Sequence, residues 1–176
     1  MSQNRYPVPA DDVERVAYLR DLAILDTESD PSLDRVVRMC ASVFGVPTSV
    51  VSLVDEQRQW FKAIHGLDVC ETDREVAFCN YTILGDEIFE ICDASADPRF
   101  AQNPLVTSDL HLRYYAGCPI VVEGVTIGSL CLIDYEPRAP LTDDERRVFA
   151  QFCDIVVREL TLSKLLRESL ALLAGN

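Results

Sequence analysis

The sequence has few basic residues for its size. Its 176 residues include 16 lysines and arginines against 29 aspartates and glutamates, which gives a formal net charge of −13. A chain this acidic is repelled by phosphate backbones, and no run of basic side chains interrupts the acidic background. We therefore expect no nucleic-acid partner, and we interpret the acidity as a feature that keeps the protein soluble.

Long apolar stretches are missing as well. No segment approaches the ~18 apolar residues that a membrane-spanning helix requires. Residues 1–12 are polar and lack the apolar core of a secretion signal. We therefore expect no membrane partner, a cytoplasmic location and a flexible N-terminus over residues 1–10.

Residues that commonly build catalytic and metal centres are scarce or scattered. The two histidines, His65 and His111, lie far apart and belong to no ligand motif, so no Ser/His/Asp set can be proposed. A GxxxxGK[ST] phosphate loop does not occur. The cysteines form no CxxC pair, which argues against zinc; they are Cys40, Cys70, Cys79, Cys92, Cys118, Cys131 and Cys153. We expect a protein that is not an enzyme and holds no metal, with its cofactor unknown.

The residues that are present predict one globular domain with helices at both ends of the chain. Apolar residues at helical spacing predict helices over 11–25 and 31–44. Pro31 suits the first turn of the second helix, and Gly45 is a typical stop.

Short β-branched and aromatic stretches predict strands that return through tight turns. The predicted strands are 48–54, 58–65, 87–92, 113–122 and 125–135. Links this short make neighbouring strands antiparallel. Residues 77–84 predict a short helix, and the segment 93–112, rich in Asp, Pro and Asn, predicts a long functional loop.

A long helix is predicted from Thr142, where Thr142 and Glu145 fit a capping box, to about Leu173. Six of eight heptad positions in it are apolar, which is typical of a weak coiled coil. These positions are Phe149, Phe152, Val156, Glu159, Ser163, Leu166, Leu170 and Leu173. We expect a domain over 11–160 and an extension over 161–176 that serves dimerisation or signalling. The fold class is therefore α/β (α+β), with a central antiparallel sheet of five to six strands.

Several segments, with consistent spacing over about residues 11–160, resemble the GAF domain family, in particular its bacterial branch found ahead of diguanylate cyclases or histidine kinases. The matching segments include AILDT at 23–27, VSLVD at 51–55, RQWFK at 58–62, DPRF at 97–100, NPLV at 103–106, RYYAG at 113–117 and IGSLCLID at 127–134. The resemblance implies terminal helices on one face of the sheet and a loop and short-helix pocket on the other.

The resemblance also implies a regulatory domain of bacterial signal transduction that senses a small ligand and relays the signal through its terminal helices. The expected partners are an unknown small molecule, a second copy in a homodimer, and an output domain or separate protein. Two alternatives stay open: a dimerisation module that binds no ligand, and a thiol-based redox enzyme of the methionine sulfoxide reductase type.

The candidate pocket residues combine aromatic walls with a few polar groups, as small-ligand sites do. They are Trp60, Phe78, Cys79, Tyr81, Asp93, Arg113 and Tyr115. Cys79, at a helix N-terminus, is either a reactive thiolate or a small buried hydrophobe. Arg113 either pairs with a carboxylate to hold the long loop or faces the pocket and binds an anion.

Overall fold

Six antiparallel strands form one central sheet in the computed structural model, which describes residues 6–174. The strands are β1 (Thr48–Val54), β2 (Arg58–His65), β3 (Glu71–Asp73), β4 (Phe89–Ile91), β5 (Tyr114–Val122) and β6 (Val125–Asp134). Their order across the sheet is β3-β2-β1-β6-β5-β4, and neighbouring strands run antiparallel. The predicted α/β fold with an antiparallel sheet is confirmed.

Helices flank this sheet on both faces. They are α1 (Asp12–Asp21), α2 (Pro31–Phe44), α3 (Cys79–Thr82), α4 (Pro104–Thr107) and α5 (Asp143–Ala174). α2 has its predicted range, because Asp30 caps its first turn and Gly45 ends it at a φ of 60°. α1 ends before its predicted end, since Ala23 (φ 51°) and Asp26 (φ 56°) adopt left-handed conformations that a right-handed helix excludes.

The segments around the predicted loop contain more structure than the sequence pattern indicates. Within 93–112 the short helix α4 begins at Pro104, where the side chain of Asn103 caps it. Strand β3 has no counterpart among the predicted strands. Its three residues, Glu71–Asp73, pair with β2 at the sheet edge. Because all three are polar, they show no hydrophobic pattern from which a strand could be predicted.

One face of the sheet is covered by α2 and α5, as the resemblance implies. Inward-facing strand residues meet the apolar faces of both helices there, and the ring of Phe44 contacts those of Phe149 and Phe152 at centroid distances of 5.5 and 6.3 Å. We call this layer the helix-side core. Its central members are Leu33, Val37, Val51, Leu53, Ala116, Leu130, Phe149 and Val156.

The other face carries a second, smaller core under α3, α4 and the segment that connects them. Strand residues such as Val50, Tyr115 and Cys131 alternate with the residues of the helix-side core and therefore point into this second layer. We call it the pocket-side core, because the predicted pocket face is the one it occupies.

Helix α5 is the longest element, with 32 residues. Its capping box is confirmed: the Thr142 amide donates to Glu145 Oε2 at 2.8 Å, and the Glu145 amide donates to Thr142 Oγ1 at 3.2 Å. Phe149 and Val156, two of the predicted heptad positions, are buried in the helix-side core of this chain. Over that part of α5, a partner helix can therefore meet only a different stripe.

The structure describes only part of the residues for which we made predictions at the two ends of the chain. Residues 1–5, within the predicted flexible N-terminus, and 175–176, at the end of the predicted extension, lie outside the described residues. Tyr6 stacks over the guanidinium of Arg74 at 5.6 Å. Between residues 6 and 174 no helix is both long enough and apolar enough to span a bilayer.

Candidate functional site

A small cavity lies in the pocket-side core, between the sheet on one side and α3 with residues 93–112 on the other. We call residues 93–112 the covering segment. The volume of the cavity is about 30 Å³, room for about one or two water molecules. Its walls are mainly apolar, and none of the described residues that form them is charged. They are Val50, Ser52, Gln59, Phe61, Phe78, Cys79, Leu105, Leu112, Tyr115, Cys131 and Ile133.

Cys79, Tyr115 and Cys131 meet at this cavity from three different elements. The two Sγ atoms are 3.6 Å apart. Tyr115 Oη lies 3.4 Å from Cys79 Sγ and 3.6 Å from Cys131 Sγ. The exposed fractions are 3% for Cys79 and 1% for each of the other two, so the cluster is shielded from bulk water.

Further hydroxyl and amide groups surround these three side chains. Thr82 Oγ1 lies 2.7 Å from Tyr115 Oη, and Ser129 Oγ lies 3.1 Å from Cys131 Sγ. On the neighbouring strands, Ser52 Oγ donates to Gln59 Oε1 at 3.2 Å, and Gln59 Nε2 donates to Thr72 Oγ1 at 2.6 Å. The cavity therefore has a polar side within otherwise apolar walls.

The two thiols are shifted in opposite directions. The hydrogen bond from Cys131 lowers the pKa of Cys79 to about 6, although burial alone raises that pKa. Burial raises the pKa of Cys131 well above its usual value, and donation to Cys79 adds to the rise. Burial also raises the pKa of Tyr115. Cys79 is thus the thiol that ionises first, with Cys131 and Tyr115 as donors. Hydrogen bonds to the Cys79 sulfur lower its pKa, whereas the sequence analysis attributed a reactive thiolate to its place at a helix N-terminus.

A glycine makes room for the Tyr115 hydroxyl. A Cβ atom at Gly117 would lie 2.3 Å from Tyr115 Oη and 2.4 Å from Thr82 Oγ1, far inside van der Waals contact. The hydrogen bond between Tyr115 and Thr82 therefore requires a residue without a side chain at this position of β5.

An aromatic wall closes the cavity on the side of the covering segment. Phe78 and Phe100 stack with ring centroids 4.3 Å apart, and Tyr81 stacks on Phe89 at 5.5 Å. The guanidinium of Arg99 lies 5.3 Å from the Phe89 ring and 5.6 Å from the Tyr81 ring. Stacked rings and a cation over them favour a closed arrangement.

The structure brings some predicted pocket residues together and separates others. Phe78, Cys79 and Tyr115 line the cavity, and Tyr81 lies one layer farther out, in the aromatic wall. Trp60 lies on the opposite face of the sheet, in the helix-side core, because it alternates with Phe61 along β2. Trp60 is therefore not a neighbour of the cavity.

Asp93 and Arg113 also lie outside the cavity walls. Arg113 Nη1 donates to the carbonyl oxygens of Val106 and Leu112 at 3.1 and 3.0 Å. Asp93 accepts hydrogen bonds from the Ser95 amide and hydroxyl at 2.9 and 2.6 Å. Arg113 thus holds the covering segment through main-chain carbonyls. The hydrogen bond from Ser95 lowers the pKa of Asp93, and the charge of Arg113 contributes to the same shift.

Sequence reasoning missed Cys131, Ser52 and Gln59 as members of the site. Alternation along β6 places Cys131 on the same face as Ser129 and Ile133, so a shared face could have been predicted. The local sequences of α3 and β6 do not predict that α3 docks against this face and brings Cys79 to Cys131.

Other features offer less chemistry. A depression of about 360 Å³ is lined by residues 8–11 and by the turn at 83–86, and one of about 340 Å³ lies around Lys62 and Arg167. Neither contains a cysteine or histidine among its lining residues. Over residues 6–174, no group of three or more His, Cys, Asp or Glu side chains is arranged to hold a metal ion.

Comparison with known proteins places these features in a family. A sequence model described as "GAF domain" matches residues 29–160. A cyclic di-GMP phosphodiesterase of Pseudomonas aeruginosa is 40% identical over 155 residues, covering 88% of this chain and 26% of that protein. The chain thus spans about a quarter of the length of this relative.

Solved structures show the same fold at low sequence identity. The GAF domain of an Acinetobacter phosphoenolpyruvate-protein phosphotransferase superposes with a TM-score of 0.57 and 20% identity, covering 90% of this chain and 97% of that one. Free methionine-R-sulfoxide reductase from Neisseria meningitidis, in complex with its substrate, gives a TM-score of 0.62 and 16% identity over 94% and 99%. At such identities the likeness concerns the fold alone.

Proposed function

Because the chain belongs to the GAF domain family, we propose that it is a regulatory domain that senses a small ligand and relays the signal through its terminal helices. The arrangement of the central strands carries this proposal. β1, β5 and β6 contribute to the cavity on one face and to the helix-side core on the other. A shift of these strands at the cavity reaches α2 and α5 through a single layer of backbone.

The proposed ligand is small and uncharged. The cavity walls offer apolar surface with the hydroxyl of Ser52, the amide of Gln59 and the hydroxyl of Tyr115 as polar groups. Burial of an anion would require a cationic partner. Arg113, the cationic candidate from the sequence, is not among the residues that line the cavity, and its Nη1 donates to main-chain carbonyls.

Binding would require the covering segment to move. The cavity of about 30 Å³ is far below the roughly 300 Å³ at the lower end of ligand pockets. Phe100 and Leu105 of the covering segment are the side chains that must retreat from the sheet. That movement exchanges the ring stack between Phe78 and Phe100 for contacts with the ligand, which makes occupancy and segment position interdependent.

The proposed output runs through α5 to a second copy of the chain. Val148, Ile155 and Leu162 recur at seven-residue spacing on α5 and are 37%, 40% and 60% exposed. α2, which contacts α5, also exposes the apolar side chains of Met39 and Val43. Exposed apolar side chains on two helices that contact each other fit a pairing of two identical chains.

The relative from Pseudomonas aeruginosa suggests what the relay controls. That protein is named a cyclic di-GMP phosphodiesterase and is about four times as long as the region it shares with this chain. We propose that this chain supplies regulation, and that catalysis belongs to an output domain or partner protein of cyclic-dinucleotide turnover.

One observation favours a second candidate, a dimerisation module that binds no ligand. The cavity is nearly filled by the side chains around it, and a filled core is what such a module needs. The two candidates differ in whether the covering segment ever opens to admit a molecule.

Native mass spectrometry of the chain purified from bacterial cells separates the two. If the domain senses a ligand, the wild-type spectrum contains chains or dimers that are heavier than their bare forms by the mass of a small molecule, and Leu105→Trp abolishes this added mass. Leu105 is a half-buried wall residue, so an indole there obstructs the cavity without entering the deep core.

The matched control is Leu84→Trp. Leu84 is 48% exposed and is not among the residues that line the cavity, so this variant should retain the added mass. A wild-type spectrum that shows the dimer without any added small-molecule mass would support the ligand-free module instead.

A further inference from the structure

Two buried cysteines face each other in a part of the molecule that opens onto the cavity. Cys79 begins α3 and Cys131 lies in β6, and their sulfurs are 3.6 Å apart. This is van der Waals contact between two thiols that come from distant parts of the chain. All seven cysteines are unpaired in the structure.

We propose that Cys79 and Cys131 form a peroxide-responsive dithiol switch, which closes to a disulfide between α3 and β6. The inference goes beyond ligand sensing, since it needs no ligand and assigns these two residues a reaction of their own. The oxidant is a small hydroperoxide, with hydrogen peroxide as its simplest member.

The reaction balances in two steps. The Cys79 thiolate attacks one peroxide oxygen, the O–O bond breaks, and the leaving oxygen takes a proton to become water, which leaves a sulfenic acid on Cys79. Cys131 sulfur then attacks the Cys79 sulfur, the S–O bond breaks, and the departing hydroxide takes the Cys131 proton to form a second water. Two thiols lose two electrons in total, and the peroxide gains them.

The surroundings of the pair suit each step. Cys131 and Tyr115 both lie within hydrogen-bonding distance of Cys79 Sγ, so the attacking sulfur carries donors that stabilise its thiolate. The pKa of Cys79 is lowered by the Cys131 hydrogen bond and that of Cys131 is raised by burial. This asymmetry assigns Cys79 as the nucleophile and Cys131 as the resolving thiol.

Access and size favour a small oxidant. The cavity that both sulfurs line has a volume of about 30 Å³, which suits a molecule with two oxygen atoms better than an organic disulfide such as oxidised glutathione. Its outer walls include the half-buried side chains of Phe61, Leu105 and Ile133.

Bond formation requires a modest movement. A disulfide bond is about 2.05 Å long, so the sulfurs must approach each other by about 1.5 Å. β6 lies between β1 and β5 and is held on both sides, whereas α3 is a single helical turn of four residues. We therefore expect α3 to move toward the sheet, carrying the adjacent Phe78 and the aromatic wall with it.

Peptide mapping of the full chain tests the proposal directly. The folded protein is treated with hydrogen peroxide, its remaining thiols are blocked by alkylation, and it is digested with trypsin and an enzyme that cleaves after glutamate. Trypsin alone yields peptides 75–99 and 114–138, each with two cysteines. Cleavage after Glu90 and Glu123 separates Cys79 from Cys92 and Cys118 from Cys131, so the linkage is assigned without ambiguity.

The expected result is a peptide that joins Cys79 to Cys131, lighter than the sum of its parts by two hydrogens and unlabelled at both cysteines. Cys70, which is exposed, reports that oxidant reached the protein. Oxidation at Cys70 with Cys79 and Cys131 still fully alkylated would overturn the proposal, and so would a different partner for Cys79.

Variants assign the two roles. In Cys131→Ser the sulfenic acid on Cys79 has no resolving thiol, so a dimedone adduct should appear at Cys79 that is absent from the wild type. Cys153→Ser is the matched control, because Cys153 is equally buried but lies in the helix-side core, and its Cys79–Cys131 link should still form. A dimedone adduct at Cys79 of similar yield in the wild type would refute the role of Cys131.

Discussion

At the scale of single residues, Tyr115 organises the site. Its ring lies in the pocket-side core, and its hydroxyl lies within hydrogen-bonding distance of Thr82, Cys79 and Cys131. Gly117 leaves the space that this hydroxyl occupies. One phenol thus joins α3 to the sheet and sets the polarity around both thiols.

We expect Tyr115→Phe to lower the free energy of unfolding by about 1–3 kcal/mol, because Thr82 Oγ1 is left buried without its partner. The loss of a donor to Cys79 should also raise the pKa of that thiol, since the Tyr115 hydrogen bond is among the interactions that lower it. Urea denaturation of both proteins at pH 7 measures the stability change.

Tyr18→Phe serves as the control. The Tyr18 hydroxyl donates to Glu123 at the surface, where water replaces the lost partner, so the change in stability should stay below about 0.5 kcal/mol. Equal losses in the two variants would show that the Tyr115 hydroxyl contributes nothing particular to the core.

At the scale of elements, an ion-pair network joins α1 to the wall of the cavity. Asp12 of α1 accepts from Arg74 Nη1 and Nη2, at 2.8 Å each, and from Arg15 Nε at 2.7 Å. Arg74 Nε in turn donates to Asn80 Oδ1 of α3 at 3.1 Å. Both arginines are only 2% exposed. The terminal helix α1 is therefore mechanically linked to α3, which carries Cys79.

We expect Asp12→Asn to lower the free energy of unfolding by about 3 kcal/mol at pH 7, because two buried guanidinium groups lose their carboxylate. Burial raises the pKa of Asp12, but the hydrogen bonds from Arg74 and Arg15 outweigh it and hold the pKa below its ordinary value. A carboxylate with a lowered pKa stabilises the fold above its unfolded pKa of about 4 and loses that contribution as pH falls through the folded value.

The difference in the free energy of unfolding between wild type and Asp12→Asn should therefore be largest at pH 6–8 and shrink below about pH 4. Urea denaturation across this pH range measures it. Asp144→Asn removes an exposed partner of Arg147 on α5 and should cost less than about 0.5 kcal/mol. A stability difference between wild type and Asp12→Asn that does not change with pH would contradict the stabilising role assigned to the ionised Asp12 carboxylate.

At the scale of the whole molecule, α5 reaches beyond the sheet. Its 32 residues span about 48 Å at 1.5 Å per residue. Contacts with the rest of the chain continue as far as Arg167, which donates to the Leu22 carbonyl at 2.9 Å. Beyond that point Leu170, Leu172 and Leu173 are 56%, 76% and 75% exposed, so a second helix would find an apolar end there.

We expect the wild-type chain to sediment with twice the mass of one chain and Ile155→Asp to sediment as a single chain. A carboxylate in the centre of the α5 stripe would be buried without a partner in the dimer, while in the isolated chain it faces water. Analytical ultracentrifugation over a range of concentrations measures this, with circular dichroism to show that the fold is retained.

Val69→Asp changes a residue that is 45% exposed in the connection between β2 and β3, away from the helices, and should leave the mass unchanged. A wild-type chain that stays monomeric at every concentration would refute pairing through α5. Dissociation caused equally by both variants would show that net charge, and not the stripe, controls association.

The sequence by itself determined those helices and strands whose ends depend on interactions between residues close together in the chain. α2 begins and ends where Pro31 and Gly45 predict, and the predicted capping box of Thr142 and Glu145 forms. The strands of both hairpins follow from β-branched runs and short turns. Caps, turns and strand alternation act over a few residues, so the sequence alone was enough.

Only the tertiary structure decided which side chains meet. Trp60 faces away from the cavity, Arg113 binds carbonyls of the covering segment, and Cys79 lies against Cys131 although their positions in the chain differ by 52. These contacts depend on how α3 and the covering segment dock on the sheet. This docking results from the burial of both faces of the sheet by many side chains together, so the local sequence of neither segment predicts it.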